Sequence, residues 1–263
     1  MKDQEAKSDD EIIYESCKAL RLVDVRDQYK DLIVEAEDSN MDYKQFLKSI
    51  LSFEADCKRS RRVERLRTAA HFDFEKELEE IDYTFNDSLD KSKITELGSL
   101  KFIVANENVI IIGPPGVGKS MIATGIGLKA VNAGYKVLFV NAKELVDTLY
   151  EKMLDGTLRE LLKRLRKIPL LIIDELSYVK MDRERESLFF QVIRQRYERG
   201  SLIITTNLPM GRWEELFTGH LAATAILDRL VHHCHVLSIT GESYRVKGSN
   251  RNEGPNTTAP CPS

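Results

Sequence analysis

The sequence has no long apolar run, few cysteines and, over residues 1–95, neither glycine nor proline. Its longest apolar runs, such as residues 109–112, are far shorter than the ~20 residues of a membrane span, so we expect no membrane segment. The four cysteines are scattered without a Cys-x-x-Cys pair, which favours reduced thiols. The opening segment is too acidic and polar for a secretory signal. We therefore expect a cytoplasmic protein.

The composition is that of an ordinary folded chain. Apolar residues make up 42% and charged residues 31% of the 263 residues, which excludes a disordered or fibrous protein. The chain has 39 basic and 42 acidic residues, and a net charge of −3 neither favours nor excludes nucleic acid as a partner. Only local clusters of charge can therefore be informative.

The sequence predicts a helical N-terminal domain over residues 1–95, which are rich in charge and carry apolar residues at helical spacing. One helix is expected from Tyr43, with Asn40 as its cap. Within this stretch, residues 58–67 hold six basic side chains against Glu64 alone. This cluster is either a solvated helix face or a surface that contacts DNA phosphates or an acidic partner.

Beyond residue 95 the pattern changes to short apolar runs that alternate with amphipathic stretches. The runs are as long as strands buried on both faces, and they lie at 108–112, 136–140, 170–173, 202–206 and 236–239. Helical stretches lie between them, at 119–133, 142–167, 184–199 and 212–233. This alternation predicts an α/β domain over residues 96–246, with a parallel five-stranded sheet flanked by helices. The polar residues 247–263 are expected to form a disordered tail.

A phosphate-binding loop follows the first predicted strand. Residues 113–120 match G-x-x-x-x-G-K-[ST] between a strand and a helical pattern, the context that makes this motif specific. Glycines let several backbone N–H groups converge on a phosphate chain at the positive end of the helix. Lys119 would reach the β- and γ-phosphates, and Ser120 would bind Mg²⁺. The predicted nucleotide-binding residues are Gly113, Pro114, Pro115, Gly116, Val117, Gly118, Lys119, Ser120 and Met121.

Two carboxylates follow the third apolar run. Asp174 ends the strand and is expected beside the metal, where it would orient Mg²⁺. Glu175 comes next and could polarise a water molecule that attacks the γ-phosphate. An Asp-Glu pair after a strand is also a common helix cap, so it gains its meaning from the phosphate-binding loop.

Two further residues are candidates for the reaction. The fourth run ends in Thr205, Thr206 and Asn207, whose polar side chains could hold the attacking water or simply terminate the strand. Arg229 lies on a predicted helix. It could pair with Asp228, or it could reach the γ-phosphate of a neighbouring subunit as an arginine finger does.

In the order of its motifs the chain resembles the AAA+ ATPases, and among them the IstB-like transposition helpers and the related DnaC-type helicase loaders. The resemblance covers about residues 95–246, with a looser match at 45–72. The matching stretches are GPPGVGKS, LLIIDEL, LIITTNLP and AILDRLVHHCHVLSITGESYR.

The resemblance implies ATP as cofactor, a homo-oligomer that shares ATP between subunits, and binding to duplex DNA that recruits or activates a transposase. It implies that Asn207 is the sensor residue and Arg229 the intersubunit finger. Arg245 lies in a stretch typical of the family, without a role assigned to it. About two dozen residues follow Ile239, so we expect the chain to lack the full helical lid of many AAA+ proteins.

Three alternatives to a transposition helper stay open at this stage. A DnaC-type helicase loader would use the same ATPase core but grip a helicase and prefer single-stranded DNA. A small-molecule kinase would need an acceptor pocket and no arginine from a neighbour. A scaffold that binds nucleotide without hydrolysis is the third alternative.

Two other clusters are ambiguous from sequence. Residues 159–167 form a basic amphipathic stretch, either an exposed helix face or a DNA contact. Residues 232–235 hold three of the five histidines, but four consecutive side chains cannot all converge on one metal ion. We interpret that cluster as a helix-to-strand turn. No base-reading module is visible, so any DNA binding should be largely independent of sequence.

Overall fold

The computed structural model describes residues 7–84, 86–218 and 220–241; of residues 220–223 only the backbone is described. The predictions for Arg245, the 247–263 tail and the helical lid fall outside this range. The described chain forms two compact units, one up to Arg65 and the other from Leu66. Residues 66–95 thus group with the second unit, and a functional boundary near residue 95 stays a prediction.

The first unit is helical, as the sequence predicts. Its helices are α1 (Asp9–Ala19), α2 (Val23–Asp38) and most of α3 (Tyr43–Ala70). The cap predicted for α3 is wrong: Asn40 has a φ of 48°, and the carboxylate of Asp42 accepts the hydrogen bond from Gln45 N, at 2.7 Å. Gln45 returns its side-chain oxygen to Asp42 N, which completes a capping box.

Within the first unit, a buried carboxylate of α3 caps α2. Glu54 Oε2 accepts hydrogen bonds from the backbone N–H groups of Asp24 and Val25, each at 3.0 Å. These N–H groups have no partner within their own helix, because the first turn of a helix leaves its donors unsatisfied. Lys58 lies 3.3 Å from Glu54, and Arg61 lies 2.6 Å from Asp24. Part of the basic cluster at 58–67 is therefore engaged in holding the unit together.

The second unit is a parallel sheet flanked by helices, which confirms the predicted fold class. Its strands are β1 (Asn108–Ile112), β2 (Val137–Asn141), β3 (Leu170–Asp174), β4 (Ser201–Thr206) and β5 (Cys234–Ser238). They lie in the order β2-β3-β4-β1-β5, with every neighbouring pair parallel. Each observed strand lies within two residues of its predicted run, because a strand buried on both faces is a continuous apolar segment.

The helices of this unit cover both faces of the sheet and bury its apolar residues. They are α4 (Lys91–Gly98), α5 (Lys101–Ala105), α6 (Lys119–Asn132), α7 (Ala142–Leu154), α8 (Leu158–Arg166), α9 (Arg183–Arg196) and α10 (His220–Val231). The amphipathic stretch at 142–167 forms two helices, α7 and α8. The carboxylate of Asp155 accepts from Thr157 N at 3.0 Å and forms a turn between α7 and α8. None of the described helices combines the length and the apolar character of a membrane span.

A buried arginine joins the beginnings of β3 and β4. Arg196, at the end of α9, is 1% exposed. Its Nη2 donates to the carbonyl oxygens of Ser201 at 2.8 Å and Pro169 at 3.4 Å, and its Nη1 donates to the carbonyl of Leu165 in α8. Burial lowers the pKa of Arg196 to about 10, so the side chain remains a cation at neutral pH.

We expect Arg196→Met to lower the free energy of unfolding by about 2–4 kcal/mol, because three buried carbonyls lose a charged donor. Urea denaturation followed by circular dichroism measures this change. Arg199→Met is the matched control, since Arg199 is exposed near the same helix end, and its effect should be close to zero. Equal effects of the two substitutions would contradict the role assigned to Arg196.

Candidate functional site

The candidate site lies where the parallel strands end. In the sheet, β4 lies between β1 and β3, and β1 lies between β4 and β5. The loop after β1 begins beside the ends of β4 and β5, where Gly113 N donates to the Thr206 carbonyl and Ile239 N donates to the Ile112 carbonyl. The register pairs Ile112 with Thr206 and Ile173 with Ile204, so residues 113, 174 and 205 lie at one edge. Ligands of open α/β sheets bind at this carboxyl edge.

Two glycines allow the loop at 113–118 to take its path. Gly113 N donates to the Thr206 carbonyl at 3.1 Å, and a Cβ at Gly113 would lie only 2.4 Å from the carbonyl oxygen of Ile239. Gly118 precedes α6 with a φ of 97°, a conformation that other residues rarely adopt. Any other residue at position 113 would therefore separate the loop from the sheet edge.

A cavity of about 220 Å³ opens against this loop. The loop and the start of α6 line it through Pro115, Gly116, Val117, Gly118, Lys119, Ser120 and Met121. Of the remaining predicted binding residues, Gly113 is buried at the start of the loop, and the Pro114 carbonyl accepts a hydrogen bond from Lys119 Nζ at 2.8 Å. The structure thus brings seven of the nine predicted nucleotide-binding residues to one cavity wall.

The two acidic residues after β3 have different environments. Asp174 is buried, and its Oδ1 accepts hydrogen bonds from the hydroxyls of Ser120, at 3.0 Å, and Thr205. Glu175 is exposed, lines the cavity and has a φ of 59°. The left-handed backbone at Glu175 separates the two carboxylates, so that one faces the start of α6 and the other the cavity.

Polar side chains from neighbouring strands hold the residues around Glu175. Its backbone N–H donates to Thr205 Oγ1 at 2.9 Å, and its Oε2 accepts from Asn141 Nδ2 at 3.2 Å. Asn141 ends β2 and is paired in register with Asp174. Sequence reasoning missed Asn141, because its proximity to Glu175 depends on which strand lies beside β3.

Asn207 and Arg229 occupy different places. Asn207 lines the cavity, and its backbone N–H donates to Ser177 Oγ at 3.2 Å. Arg229 is not among the described residues that line the cavity. Its Nη1 donates to the Ala225 carbonyl at 2.8 Å, and its guanidinium lies 5.0 Å from the centre of the Phe190 ring.

Another part of the cavity wall comes from a segment that no motif marks. Its lining residues before α4 are Phe74, Lys76, Asp82, Asn86 and Leu89. The hydroxyl of Ser88 and the amide of Asn86 each donate to the Thr240 carbonyl at 2.7 Å, which ties this segment to the residues after β5. The sequence predicts helix here, whereas residues 71–84 and 86–90 are largely irregular, so no pattern in the sequence points to these residues.

The loop and the polar side chains beside it suit a nucleoside triphosphate and its Mg²⁺ ion. A loop of backbone N–H groups at a helix start favours an anionic phosphate chain. Adjacent ligands of an octahedral Mg²⁺ with bonds of 2.0–2.1 Å lie roughly 2.9 Å apart. The hydroxyl oxygen of Ser120 and the Oδ1 atom of Asp174 lie 3.0 Å apart and are both hard oxygen donors, so they fit such an ion.

Comparisons with known proteins agree with this geometry. The family of IstB-like ATP-binding proteins matches residues 15–252. An ATP-binding protein of insertion sequence IS21 from Pseudomonas aeruginosa is 41% identical over 83% of this chain and 82% of its own length. An ATP-binding protein of insertion sequence IS5376 from Geobacillus stearothermophilus is 36% identical over 90% of this chain and 94% of its own length.

Among solved structures, DnaA from Aquifex aeolicus bound to AMPPCP is similar in fold. Its TM-score is 0.55 at 17% identity, over 69% of this chain and 55% of the DnaA chain. This similarity supports the predicted fold, a parallel sheet flanked by helices. The match of a family over most of the sequence, together with relatives well above 30% identity, confirms the resemblance seen in the motifs: the chain belongs to the IstB-like ATP-binding protein family of insertion sequences.

Proposed function

We propose that this protein is an ATP-hydrolysing, DNA-binding helper of insertion-sequence transposition. The observation that carries the proposal is the separation of two carboxylates at the phosphate-binding loop. Asp174 faces the Ser120 hydroxyl while Glu175 faces the cavity, as metal binding and activation of a water molecule require. The insertion-sequence relatives supply the biological context.

The chain's own residues divide the work of hydrolysis. The loop amides and Lys119 hold the β- and γ-phosphates, and Glu175 accepts a proton from the attacking water. Asn141 orients the Glu175 carboxylate through its 3.2 Å hydrogen bond, and Asn207 helps to place the water from the end of β4. Ser120 and Asp174 would hold Mg²⁺, which supplies charge neutralisation on the phosphate oxygens.

The active site is completed by a second copy of the chain. Arg229 is not among the described residues that line the cavity of its own subunit; on a half-buried surface its guanidinium donates to the Ala225 carbonyl and lies against the Phe190 ring. A guanidinium there is available to stabilise the γ-phosphate of a neighbour in a homo-oligomer. Nucleotide state would then control assembly on duplex DNA and the recruitment or activation of a transposase.

The α8 face is the DNA-binding surface favoured by the charges. The apolar side of α8 is buried through Leu161, Leu162 and Leu165. Its exposed cations are Arg159, Lys163, Arg164, Arg166 and Lys167, and no acidic side chain among the described residues pairs with them. The basic cluster of α3 differs, since Lys58, Arg59, Arg61 and Arg67 each have an acidic partner. Cations without an acidic partner need not break an ion pair to bind phosphate.

We expect duplex DNA to stimulate ATP turnover by the full chain. We also expect Glu175→Gln to reduce turnover by about 10²–10⁴-fold while ATP still binds, because the substitution removes the general base. A coupled assay of ADP release and fluorescent-nucleotide titration measure the two quantities. Glu184→Gln, an exposed acid in the first turn of α9, is the matched control and should retain full turnover. Stimulation by single-stranded DNA alone would favour a helicase loader, and stimulation by a metabolite would favour a kinase.

Mixing two inactive variants tests the shared site. Arg229→Ala subunits should lose activity on the order of 10³-fold or more, and adding Glu175→Gln subunits should restore part of it, because mixed interfaces contain both groups. ATP turnover across mixing ratios is the measurement. The control replaces Arg229→Ala with the double variant, for which no complete interface can form. If the single variants fail to rescue each other, catalysis does not use Arg229 of a neighbour.

The choice of DNA-binding helix is tested by paired substitutions. We expect Lys163→Gln with Arg164→Gln to weaken duplex binding and to reduce the salt dependence, the slope of log K against log[salt], by about 2, because two phosphate contacts are lost. Fluorescence anisotropy over a range of salt concentrations measures both effects. Arg62→Gln with Arg65→Gln in α3 is the matched control. A larger loss in the α3 pair than in the α8 pair would assign DNA binding to α3 instead.

A further inference from the structure

Three potential metal ligands lie together away from the nucleotide cavity. Glu198 follows α9, and His232 and His233 form the turn between α10 and β5, which confirms the predicted helix-to-strand turn. One ligand atom of each residue lies within 4.8 Å of the other two, and all three side chains are exposed. The tertiary structure therefore adds a carboxylate from a distant part of the chain to two adjacent imidazoles.

Local contacts orient these groups. The Tyr197 hydroxyl lies 3.3 Å from His232 Nδ1, which leaves Nε2 of that ring to bear the lone pair when Nδ1 is protonated. The rings of His232 and His233 meet edge to face, with centroids 4.3 Å apart. Glu198 has a φ of 56°, a turn conformation that ends the helical path of α9. A hydrogen bond to the non-ligating nitrogen is a common feature of metal-binding histidines.

We propose that Glu198, His232 and His233 bind a divalent transition-metal ion of the zinc class. Two imidazole nitrogens and one carboxylate are a ligand set that zinc accepts, with water completing the coordination. Hard ions such as Mg²⁺ and Ca²⁺ prefer oxygen ligands alone, so this site would differ in selectivity from the nucleotide site. Tetrahedral ligands with bonds of 2.0–2.2 Å lie about 3.3–3.6 Å apart, so the three ligand atoms, now within 4.8 Å of one another, would approach by up to about 1.5 Å through side-chain rotation.

The next two residues of the sequence cluster do not belong to the site. His235 Nε2 is engaged with Glu107 Oε2 at 2.8 Å. The Cys234 side chain packs against the apolar core and its thiol lies 3.6 Å from the His235 carbonyl, and its sulfur is not among the ligand atoms that lie together. The site thus uses two of the four consecutive residues, which removes the geometric objection that sequence raises against a cluster of four.

The proposed metal site and the nucleotide cavity lie at opposite ends of the sheet. The His233 carbonyl accepts from Asn108 N at 2.8 Å, at the beginning of β1, whereas the phosphate-binding loop follows the end of that strand. Metal binding at this end would join the end of α9 to the turn after α10. The proposal does not depend on ATP hydrolysis or DNA binding, and it can fail or succeed independently of them.

Zinc titration of the full chain, without nucleotide and without a polyhistidine tag, tests the proposal. Isothermal titration with ZnCl₂ should show one site, and zinc should raise the melting temperature in a concentration-dependent way. We expect His232→Ala, His233→Ala and Glu198→Gln each to weaken zinc binding at least tenfold, and Tyr197→Phe to weaken it about tenfold by freeing the His232 ring. MgCl₂ at the same concentration should leave the melting temperature unchanged.

His235→Ala is the matched control, because it removes a neighbouring histidine whose partner is Glu107. It should retain the wild-type affinity for zinc. The proposal is overturned if the wild-type chain fails to bind zinc stoichiometrically, or if the double variant with His232→Ala and His233→Ala binds zinc as the wild type does. Glu198 is exposed and lies in a different part of the chain, so Glu198→Gln should not disturb the fold at the histidines. Weaker zinc binding by this variant therefore cannot be attributed to misfolding of the histidine turn.

Discussion

Two hydroxyl groups donate hydrogen bonds to the buried Asp174 carboxylate, Ser120 from the start of α6 and Thr205 from the end of β4. These bonds connect the phosphate-binding loop to two neighbouring strands. They also provide hydrogen-bond donors to a buried carboxylate, whose burial without such partners would be strongly unfavourable. Glu175 follows in a left-handed conformation, which directs its carboxylate to the cavity. The different positions of the two carboxylates therefore depend on the hydrogen bonds that fix Asp174.

The opposite end of the same strands is fixed by a second polar group. Arg196 donates to carbonyls at the beginnings of β3 and β4, as well as to α8. A planar guanidinium can reach several acceptors at once, which suits a point where three chain segments converge. The strands that carry Asp174 and Thr205 are therefore positioned at both ends, by Arg196 at one edge of the sheet and by side-chain hydroxyls at the other.

The candidate sites lie at opposite ends of the parallel strands. The carboxyl edge of the sheet holds the nucleotide cavity, and the amino edge holds the cluster of Glu198, His232 and His233. The α8 face adds a third surface, basic and exposed, whose apolar side is already used in the core. The three surfaces differ in chemistry because each is formed by side chains from different strands and helices.

Continuous apolar runs let the sequence alone predict the parallel sheet, and the spacing of glycine, lysine and serine locates a loop between β1 and α6, because these features depend on neighbouring residues. The prediction of Asn40 as the cap of α3 is wrong and Asp42 is the cap, since Asn and Asp both favour this position and only the backbone conformation decides between them. Contacts between distant segments needed the tertiary structure: Asn141 reaches Glu175 because β2 lies beside β3, and Glu198 meets the histidines because α9 and α10 end together. Sequence determines what each segment can become, whereas the order of strands and the packing of helices decide which side chains meet.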